Sequence, residues 1–414
     1  MRLAFTNNLE YRRMSLRFYE DRRKQVDAVI NLWHRRLALA LAFVVATLLC
    51  SSCGRGRGAS VAMPQEGDTL RFAYARLLEV VRFDDHTQVT VADPWNRGRT
   101  LHTYWLISRK AVGRVRAVPD GVTAVTIPLK RAIPFSTVHA SLMTMLGCTK
   151  AIAGIADVAY VKQPAIRRLC IERKIADVGS SLAPNTELIV ATNPDGLLLS
   201  PFENSGGYGK VEELGVPVIE CADYMEASAL GRAEWVRFYG MLFGAERQAD
   251  SLFNAVEQHY RKLRAMAAAS KGRPTAIVDK MTGNTWYVPG GRSTMGTLLA
   301  DAGINYVFAD NGHSGSLPLS FETVLERADS ATLWLLRYES AVTRPYTLRT
   351  LLSEHRGYGH IKAFNAGQCY GCDTRTSMVF EETPFRPDLL LEDFVAIAHP
   401  ETHLHNRYFI KLNP

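Results

Sequence analysis

The body of the chain opens with three short runs in which apolar and polar residues alternate. These runs lie at 70–81, 87–91 and 103–107, and their period of two predicts β-strands. Turn-forming residues at Asp84-Asp85 and Asn96-Arg97-Gly98 separate them. The pattern therefore predicts that the folded part of the protein begins with β-structure.

From about Val122 the pattern changes to short apolar strands that alternate with helices. Ser136 and Thr137 carry hydroxyls suited to a helix N-cap, and the apolar residues after them follow helical spacing. A second short helix begins at Glu187 and ends before Asn193-Pro194. The strands of this block are predicted at 132–135, 151–155, 196–199 and 216–220. The unbroken apolar run of the third strand is typical of a parallel sheet.

A long helix separates this block from a second one. Between 245 and 269 apolar side chains recur on one face at the helical period, and at ~1.5 Å per residue such a helix spans roughly 35 Å. After Gly272-Arg273-Pro274 the alternation restarts, with elements predicted at 275–279, 298–302, 306–309, 322–327 and 332–336.

Two α/β blocks joined by one long helix predict an α/β fold of two Rossmann-like lobes with a ligand cleft between them. We expect the amino-terminal lobe at 70–244, the linking helix at 245–270 and the carboxyl-terminal lobe at 271–414.

An apolar run precedes the body and is too short to span a membrane. It covers 13 residues, 37–49, and follows Arg35-Arg36, whereas a spanning helix needs about 20 residues. The small residues Ser51-Ser52 then lead to Cys53. This arrangement resembles the lipobox of bacterial lipoproteins, with the departure that Cys50 stands where an aliphatic residue is usual.

We therefore predict a lipoprotein-type signal peptide at 1–52, lipidation of Cys53 and a flexible tether at 53–69. An ordinary secretory signal cut near 54–60 is the alternative. The part before the apolar run is long for such a signal, and Met14 is an alternative start. Both interpretations place the mature protein in the cell envelope or periplasm, and the first anchors it to a membrane through its lipid.

The net charge gives little support to nucleic-acid binding. It is +8 for the whole chain, but residues 1–52 hold nine basic and four acidic side chains, which leaves the mature chain with only +3. The apparent basicity therefore belongs mostly to the export signal, and we expect no nucleic-acid partner.

Several enzyme motifs are present only in part. The glycine-rich stretch at 290–296 lacks the lysine of a phosphate-binding loop, and the stretch at 312–315 is one residue short of a nucleophile elbow. Three histidines near the carboxyl terminus could bind a metal: His399, His403 and His405. Because Pro400 prevents a helical pair, we expect a surface tail instead. We predict that the protein is not an enzyme, with a lipid-anchored metallohydrolase as the alternative from another class.

Some cysteines and one further histidine allow two interpretations each. Lipidation of Cys53 leaves five cysteines, so at least one thiol stays unpaired. Cys369 and Cys372 have redox spacing outside a thioredoxin-like context, which favours a local disulfide or two buried thiols. His139, after the predicted N-cap, either faces the cleft as a metal or haem ligand or is a helix histidine with satisfied ring nitrogens.

An ordered set of motifs along about 117–411 resembles the helical-backbone (class III) substrate-binding proteins of ABC importers. The motifs lie at 132–137, 151–155, 177–179, 185–189, 193–197, 214–218 and 319–324. The segments at 227–235 and 385–393 resemble the larger lipoprotein branch of that family, except that Ala229 stands where proline is usual. Members of the family carry iron-siderophore complexes, haem or cobalamin.

The resemblance implies a protein that delivers cargo to the permease and ATPase subunits of an inner-membrane importer. One surface glutamate on each lobe pairs with permease arginines in such proteins, and the motifs place these at Glu187 and Glu322. Both lie near predicted helix starts, where a carboxylate is stabilised and remains free to meet a guanidinium, although a mere capping acid is the alternative. We expect an iron complex, siderophore or haem, as cargo, cobalamin as the alternative, no resident cofactor, and a monomer.

Five residues are predicted ligand contacts, since a bulky chelate or tetrapyrrole needs aromatic walls and a few polar partners. Tyr208 lies in a glycine-rich loop after a strand of the first lobe, and Trp286 and Tyr287 occupy the mirrored place in the second. Arg232 and Arg292 could meet anionic groups. The alternative for the aromatic residues is that each closes a loop onto its own lobe, and Arg232 could instead hold the start of the interlobe region.

Overall fold

The computed structural model describes residues 67–115, 117–203, 207–341 and 345–414. The predicted signal peptide, the lipidation site Cys53 and most of the tether lie outside these residues. No helix in the described ranges is long and apolar enough to cross a membrane.

The first five strands form one sheet, here called the amino-terminal sheet, whose order follows the chain. Neighbouring strands are antiparallel except for the parallel last pair. The strands are β1 Asp68–Leu70, β2 Leu78–Arg82, β3 Thr87–Ala92, β4 Thr100–Ser108 and β5 Val122–Ile127. Alternating residues of one face are buried, as the period of two predicts, including Val80, Val89, Tyr104 and Val125.

The strand predicted at 70–81 is wrong in its middle, because residues 71–77 leave the sheet. Glu234 accepts the backbone N–H groups of 73–75 at 2.7–3.0 Å. Glu226 accepts those of 76–77 at 2.9–3.0 Å. Both carboxylates are buried. Charge-assisted bonds to two distant side chains thus replace the strand ladder here.

The first lobe is built on parallel strands. A bridge between Ala132 and Ile152 joins the sheet of order β12-β11-β6 to the pair β7-β8, and β9 and β10 form a small hairpin. The strands are β6 Ala132–Pro134, β7 Gly154–Ile155, β8 Ala176–Asp177, β9 Gly179–Ser180, β10 Ala183–Pro184, β11 Gly196–Leu199 and β12 Val218–Glu220. The helices are α1 Thr137–Met145, α2 Pro164–Ile171 and α3 Thr186–Ala191, with 3₁₀ turns at Thr149–Ala151, Val158–Tyr160, Gly209–Leu214 and Ala222–Met225. Ser136 accepts the N–H of Val138, so the predicted N-cap is confirmed.

Three helices lead from the first lobe to the second: α4 Ala229–Glu234, α5 Val236–Phe243 and α6 Glu246–Ala269. The last is the long helix predicted at 245–269. Its buried side chains recur at helical spacing: Ala249, Phe253, Val256, Tyr260, Leu263 and Ala267.

The second lobe repeats the parallel arrangement. Its main sheet has the order β16-β13-β18-β19-β20, parallel except for β20, and a small antiparallel sheet has the order β14-β15-β17. The strands are β13 Thr275–Val278, β14 Met281–Thr282, β15 Thr285–Pro289, β16 Asn305–Tyr306, β17 Ser316–Leu319, β18 Leu333–Tyr338, β19 Cys369–Asp373 and β20 Ile410–Lys411. The helices are α7 Thr294–Asp301, α8 Phe321–Ala328, α9 Leu348–Glu354, α10 Lys362–Asn365, α11 Val379–Glu382 and α12 Pro387–Ala398, with 3₁₀ turns at Arg356–His360 and Pro400–Thr402.

The two lobes meet through helices and aromatic rings. Helix α12 packs along α6, and α11 packs on α1 of the first lobe. Phe385 lies with its ring centroid 5.7 Å from Tyr239 and 6.4 Å from His139. The predicted fold class, two Rossmann-like α/β lobes with one long helix between them, is therefore confirmed.

Candidate functional site

The site is built on the carboxyl ends of the parallel strands, where loops are free to carry polar and aromatic groups. Open α/β sheets bind ligands at this edge. In the first lobe the segments after β7 and β11 begin at 156 and 200, and in the second lobe those after β18 and β19 begin at 339 and 374.

A lysine joins these two edges. Lys162, in the segment after β7, donates from Nζ to the carbonyl oxygens of Thr374 at 2.6 Å and Ser377 at 3.0 Å, both after β19. The same ammonium lies 3.7 Å from Glu381 Oε1. Burial raises the pKa of Glu381 even beside this cation. The carboxyl edges of the two sheets therefore face each other, and Lys162 crosses between them.

Two large aromatic rings are exposed on the first-lobe edge. Tyr160 is 72% exposed at the end of the turn after β7, and Phe202 is 59% exposed in the loop after β11. Exposed aromatic rings at a concave site can cover a flat apolar ligand. Sequence reasoning missed both residues. The sequence feature that could have indicated them is their position a few residues after the end of a predicted buried strand.

The second-lobe edge carries an exposed cation. The Arg375 guanidinium donates to the carbonyl oxygen of Ser340 at 2.9 Å, and within the described residues it forms no ion pair. Asp373 beside it accepts from the Ser340 hydroxyl at 2.7 Å and the Thr376 hydroxyl at 3.0 Å. Burial opposes ionisation of Asp373, but these hydrogen bonds outweigh it and lower its pKa. Arg337, by contrast, is neutralised by Asp279.

The predicted contact Trp286 does not lie at this edge. It is 0% exposed, donates from Nε1 to the carbonyl oxygen of Val278 at 2.9 Å, and stacks on Trp334 at 5.7 Å. Alternation along β15 turns its ring into the second-lobe core, so the prediction of a ligand contact is wrong for this residue. Tyr287, on the other face, is 48% exposed. Arg292 is also exposed.

Tyr208 and Arg232 lie at two different cavities. Tyr208 donates its hydroxyl to Glu220 at 3.0 Å and lines a cavity of about 420 Å³ between the first lobe and the amino-terminal sheet. Arg232 donates to Asp223 at 2.9 Å and lines a cavity of about 250 Å³ whose walls come from both lobes, including Val138. The structure therefore does not bring the five predicted contacts into one cluster.

The two predicted docking glutamates occupy equivalent positions. Glu187 is the second residue of α3, which Asn185 caps, and Glu322 is the second residue of α8, which Ser320 caps. Both side chains are exposed. A hydrogen bond from its own backbone N–H and one with Ser320 lower the pKa of Glu322. Each lobe thus presents one carboxylate at a helix start.

His139 is buried and faces a carboxylate. Its Nε2 lies 2.9 Å from Asp223, which also accepts from the Tyr239 hydroxyl at 2.8 Å. Burial disfavours the imidazolium, but Cys221 and Asp223 outweigh it and raise the pKa of His139 to about 10. Burial likewise opposes ionisation of Asp223, yet Arg232 and His139 lower its pKa to about 2. Nδ1 of His139 is buried without a hydrogen-bond partner among the described residues, so the interpretation as a satisfied helix histidine holds for Nε2 only.

The remaining candidate groups are the cysteine pair and the carboxyl-terminal histidines. Cys369 and Cys372 are free, buried thiols, and burial raises their pKa values to about 12 and 11. His399 is buried and lies 3.0 Å from the carbonyl oxygen of Ala302, so the surface-tail expectation is wrong for it. Among the described residues no group of three or more His, Cys, Asp or Glu side chains could hold a metal ion.

Two α/β lobes with facing sheet edges, exposed aromatic rings and an exposed cation form an arrangement suited to binding a ligand between lobes. The family model described as "Periplasmic binding protein" matches residues 136–376. The match covers more than half of the chain, and the protein belongs to this family.

Relatives and solved structures agree with this assignment. An uncharacterized lipoprotein of Methanocaldococcus jannaschii is 28% identical over 312 residues, covering 71% of this chain and 72% of the relative. A periplasmic heme-binding protein from Pseudomonas aeruginosa has the same fold with a TM-score of 0.55 at 16% identity, covering 69% of this chain and 99% of its own. A protein of an ABC-type Fe3+-hydroxamate transport system from Saccharomonospora viridis has a TM-score of 0.51 at 19% identity, covering 65% and 93%.

Proposed function

We propose that this protein is the substrate-binding component of an ABC importer and captures an iron complex, a siderophore or haem, between its lobes. The exposed pair Tyr160 and Phe202, on an edge that faces the second lobe, carries the proposal. A chelate or tetrapyrrole offers these rings a flat surface to cover. No covalent chemistry is required of the protein.

The charge of the second-lobe edge favours an anionic cargo. The exposed Arg375 guanidinium can meet a haem propionate or an anionic chelate through paired hydrogen bonds. Tyr287 and Arg292 are exposed on the same lobe and are proposed as further contacts. Similar folds are named for heme and for Fe3+-hydroxamate, which supports the same class of cargo. Cobalamin, with less negative charge, is the alternative.

Titration of the purified protein with haemin and with a ferric hydroxamate tests the cargo. We expect saturable binding of one of the two, weakened about fivefold by Tyr160→Ala or Phe202→Ala, because each ring contributes on the order of 1 kcal/mol. Ile171→Ala is the control, since its exposed side chain lies at the end of α2, away from the segments that follow β7 and β11 along the chain. Unchanged affinity in both aromatic variants would contradict the site, and binding of cobalamin alone would transfer the proposal to that cargo.

Delivery to the permease is proposed to use Glu187 and Glu322. Their matching positions at exposed helix starts support docking to arginines on two related permease surfaces. Reversing both charges to arginine should abolish uptake while leaving cargo affinity in solution unchanged. Glu326→Arg, exposed on the same helix as Glu322, is the control and should retain uptake. Uptake by the double variant would refute the docking assignment.

Lipid anchoring at Cys53 is proposed from the lipobox-like sequence and from the lipoprotein name of a relative. Metabolic labelling with a radioactive fatty acid should mark the wild-type protein and not Cys53→Ala. Labelling of the variant would exclude this cysteine as the anchor.

A further inference from the structure

The cavity beside Tyr208 is distinct in its walls from the cleft between the lobes. On one side lie His102 and Thr123 of the amino-terminal sheet, and on the other lie Tyr208, Val218 and Glu220 of the first lobe. Its volume of about 420 Å³ is in the range of small-ligand sites. None of the residues that line it belongs to the second lobe.

A free strand edge forms part of the wall. Strand β12 is the last strand of its sheet. The carbonyl of Pro217 and the N–H of Cys221 bond to β11. In a parallel pair, alternate residues direct their backbone groups to the partner strand, so the backbone N–H and carbonyl groups of Val218 and Glu220 are directed toward the open edge. The N–H of Glu220 bonds to the Tyr104 hydroxyl at 2.9 Å. Within the described chain, no strand pairs with this edge of Val218.

The cavity is acidic. Glu220 accepts from the Tyr208 hydroxyl at 3.0 Å and lies 3.3 Å from His102 Nδ1. A second carboxylate, Glu212, accepts the backbone N–H of Tyr208 at 2.7 Å. No lysine or arginine lines the cavity. With two carboxylates and one imidazole, the cavity is complementary to a cation rather than to an anionic iron complex.

We propose that this cavity binds the amino end of a short peptide. The terminal ammonium pairs with Glu220, and the chain passes along β12 toward Val216, with its amides bonding to the outward N–H and carbonyl of Val218. Strand addition and capture of a terminal amine are both established ways of holding peptides. The apolar walls at Val216 and Pro217 leave room for small side chains. The assignment goes beyond the transport function proposed above.

Calorimetric titration of the full chain with L-alanyl-L-alanine amide tests this site. Two probes separate its parts: the N-acetylated dipeptide amide lacks the charge, and n-propylamine lacks the amides. We expect saturable binding of the dipeptide amide and affinity at least about tenfold weaker for each of the other two. The acetylated probe loses the charge-assisted hydrogen bond to Glu220, and n-propylamine loses the amide hydrogen bonds to Val218. Equal binding of either partial probe, or no saturable binding of the dipeptide amide at millimolar concentration, would overturn the proposal.

Variants locate the binding. Glu220→Gln and Glu212→Gln should each weaken the dipeptide amide, the first by about tenfold or more, while Glu213→Gln, exposed and outside the cavity, should not. Two separate carboxylate variants guard against a folding defect in one. Unchanged affinity in both would refute the site. Saturating haemin or ferric hydroxamate should leave the peptide affinity unchanged, and competition would assign the peptide to the cleft instead.

Discussion

Replacing Glu234 with glutamine should loosen the segment 71–77, although Glu226 still accepts the backbone N–H groups of 76–77. The buried Glu234 carboxylate accepts three backbone N–H groups, at 73–75, and lies 3.3 Å from the Arg237 guanidinium. Glutamine keeps one acceptor oxygen and turns an NH2 group toward the remaining donors. One or two backbone N–H donors are then left unpaired, and each unpaired donor costs about 1–3 kcal/mol of stability. A total cost of ~3 kcal/mol raises the population of molecules with the segment opened roughly a hundredfold.

Limited trypsin digestion measures this opening, because Arg71 and Arg76 are exposed within the segment. Cleavage there should accelerate in Glu234→Gln in proportion to the opened population. Glu213→Gln makes the same isosteric change at an exposed position in the 3₁₀ turn Gly209–Leu214, and this control should be cleaved like the wild type. Equal cleavage rates in the two variants would show that the carboxylate does not hold the segment.

Three further predictions concern the core and its ionisation. Trp286→Ala should lower the free energy of unfolding in urea by about 3–5 kcal/mol, because its ring is buried, and Tyr287→Ala by less than ~0.5 kcal/mol, because its ring is exposed. Equal losses would contradict the burial of one ring and the exposure of the other. Folding lowers the pKa of Asp223 from 3.8 to about 2, so the stability that this carboxylate contributes should be lost as pH falls from 3.8 to about 2. Folding raises the pKa of His139 from 6.5 to about 10, so the stability that this imidazolium contributes should be lost as pH rises from 6.5 to about 10. The midpoint temperature of thermal unfolding, measured against pH, should show both declines, and His139→Gln should remove the alkaline one. A wild-type midpoint that does not change above pH 6.5 would contradict the ion pair of His139 with Asp223. Cys369 should react with a thiol reagent only after unfolding, since it is buried and its pKa is raised to about 12, and rapid native labelling would disprove this.

Elements with a strong local signal were predictable from the sequence. The apolar run at 196–199 is observed as β11, and the apolar stripe at 245–269 is observed as Glu246–Ala269. Both depend on periodicity within one segment, which the chain carries regardless of its neighbours. The start of α1 is likewise set by the hydroxyl of Ser136.

The candidate site was less predictable, because it depends on which face of an element meets a neighbour. Trp286 and Tyr287 are adjacent and equally aromatic, yet pairing of β15 with β17 buries one and exposes the other. Tyr160 and Phe202 have no distinctive local pattern, and only the facing of the two sheets gives their exposure a functional meaning.

The order of elements and the two α/β blocks with a long helix between them follow from spacing along the chain, so they could be predicted without coordinates. The acids at two helix starts were predicted through the family resemblance of the motifs around them. Tertiary structure decided the rest. Three features depend on groups that are distant in sequence: the split of the first predicted strand, the burial of Trp286 and the contact of Lys162 with the opposite lobe. Hydrogen bonding and desolvation act on such groups only once folding has brought them together.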